Sequence, residues 1–251
     1  GYKVALSGQG ADELFGGYTS LAWFERFENI GRWTSALPAG PFSFLLDRET
    51  LPFRWRKMSY LFGGDAFVAS QLAVKILFLE SDVHRLLVPS LANGGRPGEA
   101  ERHLSHWAKQ VRGRELLERL SYMDVESHLQ PRLLRDLDAM SMAHSIEVRP
   151  VFLDHRLIEF LLQVPASVRI QQKRLLFDAA KRFLPEKLLT DLESRPKRTF
   201  TFPLAQWISQ GLRPIVEETF SASHLASTGL LQAGAVETLW RRQEKLPTQV
   251  G

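Results

Sequence analysis

A glycine-rich turn near the start of the chain is the strongest candidate for a site that binds an anion. Residues 3–6 have the pattern of a strand, Ser-Gly-Gln-Gly follows at 7–10, and a short helical run begins at Ala11. Such a turn exposes backbone N–H groups, and the positive end of the helix dipole also favours a phosphate. Asp12 and Glu13 lie in the first helical turn, where a bound Mg²⁺ would link a carboxylate to phosphate oxygens. An ordinary structural role stays open, since first-turn acids stabilise helices and glycines form tight turns.

A second stretch, residues 140–154, carries a carboxylate and a guanidinium on either side of one valine. Glu147 and Arg149 are these two groups, and the Pro150 that follows favours an extended backbone. Asp154 is then placed to cap the next helix. Nothing in this spacing names a reaction, so a structural ion pair is the favoured interpretation.

A third stretch is basic. Residues 195–198 read Arg-Pro-Lys-Arg, and a loop stiffened by proline with cations of this density could neutralise a polyphosphate. Lys197 is the central candidate in this loop. Lys173, which opens a predicted helix after a loop, is a candidate by the same reasoning. A solvated basic surface is the alternative for both.

The elements that must position these residues are predicted to be almost all helical after the opening strand. The helix at 99–128 is expected to break at Gly113, and Pro131 is expected in the first turn of the helix that follows. Residues 93–98 and 223–228 are predicted to be loops. The predicted helices are 65–88, 99–128, 131–147, 154–163, 173–183, 203–220 and 230–244.

Composition narrows the class of protein. The 251 residues include 44% hydrophobic and 24% charged residues and no cysteine, which excludes disulfide scaffolds, cysteine zinc sites and a thiol nucleophile. A net charge of +4, with the basic residues spread along the chain, argues against a nucleic-acid-binding domain. No apolar run or leader pattern suggests a membrane or secretion, so we expect a soluble, cytoplasmic protein. Because the chain begins directly in a strand, we also expect it to be part of a longer protein.

Together the three stretches resemble the synthetase domain of the glutamine-hydrolysing asparagine synthetases. That family typically has Ser-Gly-Glu-Gly-(Ala/Ser)-Asp-Glu-(Leu/Val)-Phe-Gly-Gly-Tyr, and residues 7–18 read Ser-Gly-Gln-Gly-Ala-Asp-Glu-Leu-Phe-Gly-Gly-Tyr. The family's Met-Ser run ending in Glu-x-Arg and Pro-Phe-Leu-Asp is similar to residues 140–154, with Pro150 and Val151 in swapped order. A lysine before a helix matches Lys173, and an Arg-x-Lys-x-x-Phe loop matches residues 195–200.

The resemblance implies an α/β fold of the ATP-pyrophosphatase type, also described as adenine nucleotide α-hydrolase-like. Residues 1–251 would be the C-terminal part of that domain, mostly helical with an N-terminal parallel strand. ATP and Mg²⁺ would be the cofactors, and aspartate would be activated as aspartyl-AMP before ammonia from glutamine attacks. An upstream glutaminase domain would be the partner, with no nucleic acid or membrane. The oligomeric state stays open, a homodimer among the options.

The resemblance also implies roles for individual residues. The turn residues would bind ATP, with Ser7 and Gly8 contacting the AMP part and Gly10 beside them. Asp12 would hold Mg²⁺ on the pyrophosphate. Lys173 and Lys197 would bind the phosphates, and the Lys197 ammonium would also stabilise the transition state of adenylation. Gln9 is the second catalytic candidate, and it stands where the family usually has glutamate.

Two departures keep alternatives open. The family's first phosphate loop, Ser-Gly-Gly-x-Asp-Ser, is absent and would lie before Gly1, so these residues would supply only part of an active site. Gln9 puts the acceptor in doubt, since relatives with this fold also act on peptide, antibiotic or polysaccharide carboxylates. An inactive helical interaction module with the same fold is a third interpretation.

Overall fold

Two short parallel strands lie at the centre of the candidate region in the computed structural model. Strand β1 (Val4–Ser7) pairs with β2 (Glu147–Pro150), with Val4 opposite Glu147 and Ser7 opposite Pro150. Because parallel strands end at the same edge of a sheet, the glycine-rich turn after β1 lies beside the end of β2.

The structure describes residues 1–17, 21–48, 50–92, 98–171, 173–195 and 202–244. The chain divides into two compact units, one formed by Gly1–Lys75 with Ala100–Arg195 and the other by Ile76–Glu99 with Pro196–Gly251. Both described strands belong to the first unit. The protein is therefore mostly helical, as expected, with one two-stranded parallel sheet in its described part.

The α-helices follow in chain order: α1 Ala11–Phe15, α2 Leu21–Thr34, α3 Ala39–Leu46, α4 Phe53–Arg56, α5 Ala66–Lys75, α6 Glu80–Leu86, α7 Pro89–Ala92, α8 Glu99–Gln110, α9 Leu116–Asp124, α10 Arg135–Met142, α11 His155–Leu162, α12 Ala166–Arg169, α13 Arg174–Ala180, α14 Glu186–Ser194, α15 Leu204–Ser209, α16 Arg213–Thr219, α17 Ala222–Thr228 and α18 Ala233–Glu244. Three tighter or wider helical segments complete the order: 3₁₀ helices at Lys57–Leu61 and Val151–Leu153, and a π-helix at Val125–Leu134.

Helix α1 is short but firmly packed. Three of its five residues, Ala11, Leu14 and Phe15, form a buried cluster with Leu161 of α11. It ends where the sequence predicted, at Gly16, which adopts the left-handed backbone conformation (φ 74°) common after helix ends. The helix that follows the candidate turn is thus fixed to the core of the first unit.

The predicted helix at 131–147 is wrong at both ends. Pro131 lies inside the π-helix, which continues from α9 into α10; the wider π register accommodates a ring that would clash with a carbonyl in an α-helix. Helix α10 ends at Met142, and Ser145 turns the chain with a positive φ of 56°. The residues from Glu147 onward then pair with β1.

Other element boundaries also differ from the sequence predictions. The predicted break at Gly113 is confirmed, with φ 84°, but the predicted loop at 223–228 is helix α17, capped by the Ser221 hydroxyl. The predicted helices at 65–88 and 203–220 are each divided in two. Most of the predicted loop at 93–98 lies outside the described residues.

Strand β1 has an exposed side. Val4 is 48% exposed and Leu6 is 73% exposed, although both are apolar. Apolar strands of parallel sheets are normally covered on both faces, so these two side chains are unusually exposed for their type. Within the described ranges, no helix has the length and apolar character needed to cross a membrane.

Candidate functional site

The turn at residues 7–10 is closed on one side and open on the other. The backbone N–H of Gln9 donates to Ser7 Oγ at 3.2 Å, and the N–H of Ala11 donates to the Gly8 carbonyl at 3.3 Å. Gly10 has φ 92°, and a Cβ there would lie 2.4 Å from Leu153 Cδ2. A Cβ on Gly8 would meet nothing within 4 Å. The Gly8 side is therefore where a ligand can reach the backbone.

Ser7 and Gln9 have different side-chain roles in this turn. Ser7 Oγ accepts a hydrogen bond from the chain, so its own hydrogen can still be donated to a ligand oxygen. The turn uses only the backbone of Gln9; among the described residues, its side-chain amide has no hydrogen-bond partner. The side chain of Gln9 therefore does not hold the turn together.

Two predicted site residues, distant in sequence, meet beside this turn. Lys173 Nζ lies 2.6 Å from Asp12 Oδ1, with the two side chains 31% and 29% exposed. Lys173 has a left-handed backbone (φ 65°) at the start of α13, and its N–H donates to the Phe15 carbonyl at 2.9 Å. This backbone geometry is uncommon for a lysine and is typical of residues held in place by their surroundings.

Gly17 leaves the space that this ion pair occupies. A Cβ at this position would lie 1.7 Å from Asp12 Oδ1 and 2.9 Å from Lys173 Cε. Both N–H groups after α1, those of Gly16 and Gly17, donate to the Asp12 carbonyl at 3.0 Å. The Gly-Gly pair therefore ends the helix and also makes room for the Asp12 carboxylate beside Lys173.

A buried arginine, which no sequence pattern indicated, contacts the same helix. Arg169, on α12, is 3% exposed, and its Nη1 donates to the Leu14 carbonyl at 2.8 Å. The same Nη1 lies 3.4 Å from the Ser121 hydroxyl, which itself donates to the Glu13 carbonyl at 2.8 Å. Burial lowers the pKa of the Arg169 guanidinium, and the negative charge of Glu118 partly opposes this. Neither Arg169 nor Ser121 belongs to a recognisable motif.

Residues 140–154 supply structural interactions. Arg149 Nε lies 2.9 Å from Glu147 Oε1, and both side chains are exposed, so the predicted ion pair is confirmed. Asp154 caps α11 by accepting from the Arg156 N–H at 2.9 Å, also as predicted. The Arg156 side chain, with that N–H, lowers the pKa of Asp154 to about 2.

The structure gives less information on the basic loop, the helix dipole and the metal site. Lys197 and most of its basic loop lie outside the described residues. Helix α1 has only five residues, so its dipole is weak and the N–H groups of the turn carry most of the predicted attraction for anions. In the part of the chain that the structure describes, no group of three or more acidic, histidine or cysteine side chains is arranged so that it could hold a metal ion.

Comparison with known proteins identifies the relatives of this chain. The profile of the family described as "Asparagine synthase" matches residues 1–250. Asparagine synthetase [glutamine-hydrolyzing] 1 of Bacillus subtilis is 27% identical over 244 residues, which cover 91% of this chain and 36% of that protein. A putative asparagine synthetase [glutamine-hydrolyzing] of Mycobacterium tuberculosis is 29% identical over 223 residues, covering 83% of this chain and 31% of the relative.

A third relative has a different name. Amidase chry2 of Gibberella zeae is 23% identical over 286 residues, covering 98% of this chain and 39% of that protein. The chain thus spans about a third of the length of the curated relatives it matches. No significant match was found among the solved structures.

Proposed function

The chain belongs to the asparagine synthase family, and from this membership we propose that it forms part of an ATP-dependent, AMP-forming amide synthetase. The observation that carries the proposal is the pairing of Asp12 with Lys173 at 2.6 Å, on the helix that directly follows the turn at residues 7–10. A carboxylate, an ammonium and exposed backbone N–H groups at the end of a parallel strand are suited to a nucleotide polyphosphate.

The proposed reaction has two steps. An oxygen of the substrate carboxylate attacks the α-phosphorus of ATP, the bond from this phosphorus to the bridging oxygen breaks, and pyrophosphate leaves. Ammonia then attacks the acyl carbon of the acyl-adenylate, AMP leaves with the bonding electrons, and the nitrogen loses a proton. Aspartate is the acid in the first version of the proposal, with glutamine as the source of ammonia in an upstream glutaminase domain. The fold proposed for the complete domain is of the ATP-pyrophosphatase type.

Each candidate side chain has a distinct role in this proposal. Ser7 Oγ–H and the backbone around Gly8 and Gly10 hold the nucleotide. Lys173 and Lys197 bind the phosphates, and the Lys197 ammonium stabilises the negative charge that develops as pyrophosphate leaves. Asp12 forms an ion pair with Lys173 and would hold Mg²⁺ on the phosphates.

A single carboxylate fits Mg²⁺ in this setting. Mg²⁺ in nucleotide sites is commonly held by one or two carboxylates, several waters and the phosphates themselves. Asp12 is partly exposed and would provide the protein oxygen, consistent with the lack of a three-ligand cluster in the described ranges. The metal would supply charge neutralisation on the pyrophosphate.

A second candidate is an amide synthetase of the same kind that acts on another carboxylate. Gln9 favours this candidate because its amide is not needed by the turn and replaces a group that can accept a proton. The match to a relative named as an amidase over 98% of the chain adds support for a substrate other than aspartate.

ATP–pyrophosphate exchange in the full-length gene product tests the proposal. We expect exchange that depends on one carboxylic acid in a panel containing aspartate, larger amino acids and peptide carboxylates. Lys197→Ala should lower exchange by about 100-fold, because a fixed cation at a developing charge contributes about 3 kcal/mol. Arg241→Ala, which removes an exposed cation paired with Glu237 on α18, is the matched control and should change little.

Each outcome of this experiment has a separate meaning. Exchange with aspartate supports the first version, and exchange only with another acid supports the second candidate. Complete lack of exchange with every acid, in a folded full-length protein, would leave the helical interaction module as the better interpretation. Normal exchange by Lys197→Ala would favour the alternative that the basic loop is only a solvated surface.

A further inference from the structure

We infer that Arg169 is a positioning residue, which fixes helix α1 and thereby sets the place of the Asp12 carboxylate. This inference rests on the proposed function, since Asp12 is assigned there to the metal and phosphates. It adds a residue on α12 that lies outside every motif in the sequence.

The carbonyl groups of α1 explain why an external donor is needed. The last four carbonyls of a helix have no partner within the helix, and a five-residue helix consists largely of such groups. Here the Asp12 carbonyl accepts from Gly16 and Gly17, and the Phe15 carbonyl accepts from the N–H of Lys173. The two carbonyls between them receive side-chain donors.

Those two donors come from different helices. Ser121 on α9 donates to the Glu13 carbonyl, and Arg169 on α12 donates to the Leu14 carbonyl, both at 2.8 Å. The two donors also lie 3.4 Å apart, between Arg169 Nη1 and Ser121 Oγ. Helix α1 is therefore held at its C-terminal end from α9, α12 and the start of α13 together.

Burying the Arg169 guanidinium carries a desolvation cost. It is 3% exposed, no carboxylate pairs with it among the described residues, and its Nε has no hydrogen-bond partner there. Removing a guanidinium from water is costly unless its environment compensates; here the Leu14 carbonyl accepts its hydrogen bond, and the negative charge of Glu118 also favours the charged form. An aliphatic side chain would fill the same space without this cost, but it could not fix the orientation of α1.

The orientation of α1 matters because Asp12 is one of its five residues. The Asp12 carboxylate lies 2.6 Å from Lys173 Nζ and against Gly17, so its position relative to both depends on how the helix is oriented. A loosened α1 would therefore displace the carboxylate from Lys173 and from the phosphates. We expect the dependence of the reaction on Mg²⁺ to respond more than the binding of the acid.

The test uses Arg169→Met in the full-length gene product, with Arg56→Met as the matched control. Arg56 is also buried in the first unit, at 5% exposure, but it pairs with Asp47 and contacts neither α1 nor the turn in any described interaction. Arg169→Met should raise the Mg²⁺ concentration needed for half-maximal exchange by about tenfold, since residues that orient a metal ligand typically contribute about 10- to 100-fold to metal affinity. Arg56→Met should lower stability without this change in Mg²⁺ dependence.

A double-mutant cycle with Asp12→Asn separates positioning from general stability. If Arg169 acts through Asp12, Arg169→Met should add no further loss of exchange in the Asp12→Asn background. Arg56→Met should combine additively with Asp12→Asn. Additive losses for Arg169→Met would overturn the positioning role. The conservative variant Arg169→Lys keeps the charge, so its Mg²⁺ dependence should lie closer to that of the wild type; the absence of such partial recovery would also overturn the role.

Amide hydrogen exchange keeps this inference distinct from the proposed function. Arg169→Met should speed exchange in the peptide that contains residues 8–15, and Arg56→Met should not. This readout does not need the enzyme to be active, so lack of catalysis would affect only the proposed function. Unchanged protection of residues 8–15 in Arg169→Met would overturn the inference by itself.

Discussion

The ends of the two parallel strands lie side by side, yet the residues that follow them differ in chemical character and in the space beside them. Strand β1 ends at Ser7 and is followed by glycines, with open space beside Gly8 and the Asp12–Lys173 pair nearby. Strand β2 ends at Pro150 and is followed by an apolar 3₁₀ helix. Its Phe152 packs edge-on against Phe15 at 5.9 Å between ring centres.

This difference shows how one strand end can support the other. Leu153, from the 3₁₀ helix after β2, fills the space that a side chain on Gly10 would need. The segment after β2 thus presses on the closed side of the glycine turn and leaves the Gly8 side accessible. Ligands in parallel sheets bind at the carboxyl ends of strands, and of the two described strand ends the β1 end is the one with open space beside its backbone.

The largest expected effect compares one carboxylate at each strand end. Asp12→Asn should lower ATP–pyrophosphate exchange by about 100-fold, because it removes the charge assigned to the metal and disrupts the pairing with Lys173. Asp154→Asn is the matched control: it changes a carboxylate after β2 that caps α11, and asparagine is also a preferred N-cap, so exchange should stay near the wild-type rate. Similar losses in both variants would contradict the distinction between the two ends.

The second effect compares the two glycines of the turn. Gly10→Ala should lower the free energy of unfolding by about 2 kcal/mol, since φ 92° is strained for alanine and its Cβ would overlap Leu153. Gly8→Ala should change it by less than about 0.5 kcal/mol, because nothing lies near its Cβ. Gly8→Ala should instead raise the KM for ATP.

Urea denaturation and exchange kinetics together check this pair of glycine variants. Gly10→Ala, on the closed side, should lower the urea midpoint, and Gly8→Ala, on the open side, should raise the KM for ATP. If Gly8→Ala leaves the KM for ATP unchanged, the ligand does not approach from the Gly8 side. If both variants unfold at the same urea concentration, Leu153 does not support the turn as the structure indicates.

Local chemistry explains which features the sequence could predict. The strand–turn–helix at the start, the helix end at Gly16, the break at Gly113 and the cap at Asp154 all depend on neighbouring residues, and all four are confirmed. The family was likewise recognisable because residues 7–18 form a contiguous and specific motif.

Features that depend on distant residues were not predictable in this way. The pairing of residues 147–150 with β1 overrode a helical pattern, and the π-helix absorbed Pro131 within a longer helix. Arg169 and Ser121 were missed because their importance comes from carbonyl groups on α1, which no side-chain pattern reveals. The roles of the candidate site residues remain predictions that the variants above test.

A smaller effect is expected from Gln9→Glu, at the turn itself. The side-chain amide of Gln9 does not hold the turn, so the substitution should change ATP–pyrophosphate exchange by less than about twofold. A glutamate could accept a proton from the attacking nitrogen, so amide formation should change by about tenfold or more, with an altered pH dependence. Both half-reactions should be measured from about pH 6 to about pH 9, on either side of neutral pH. If both change together, or neither changes, Gln9 has no role in handling the amine.

The smallest expected effect concerns the pH dependence of stability at the β2 end. The pKa of Asp154 falls from 3.8 to about 2 in the folded protein, chiefly because the Arg156 side chain and then its N–H donate to the carboxylate. Because the pKa is lower in the folded protein, the ionised Asp154 carboxylate stabilises the fold fully above about pH 4, and this stabilisation is lost as the pH falls through about 2. The stability gap between the wild type and Asp154→Asn should therefore shrink over that range. Arg156→Gln should narrow this pH range without abolishing it, since the backbone N–H of residue 156 still donates to Asp154. If the urea midpoints of the wild type and Asp154→Asn differ by the same amount at every pH, the Asp154 charge does not stabilise α11.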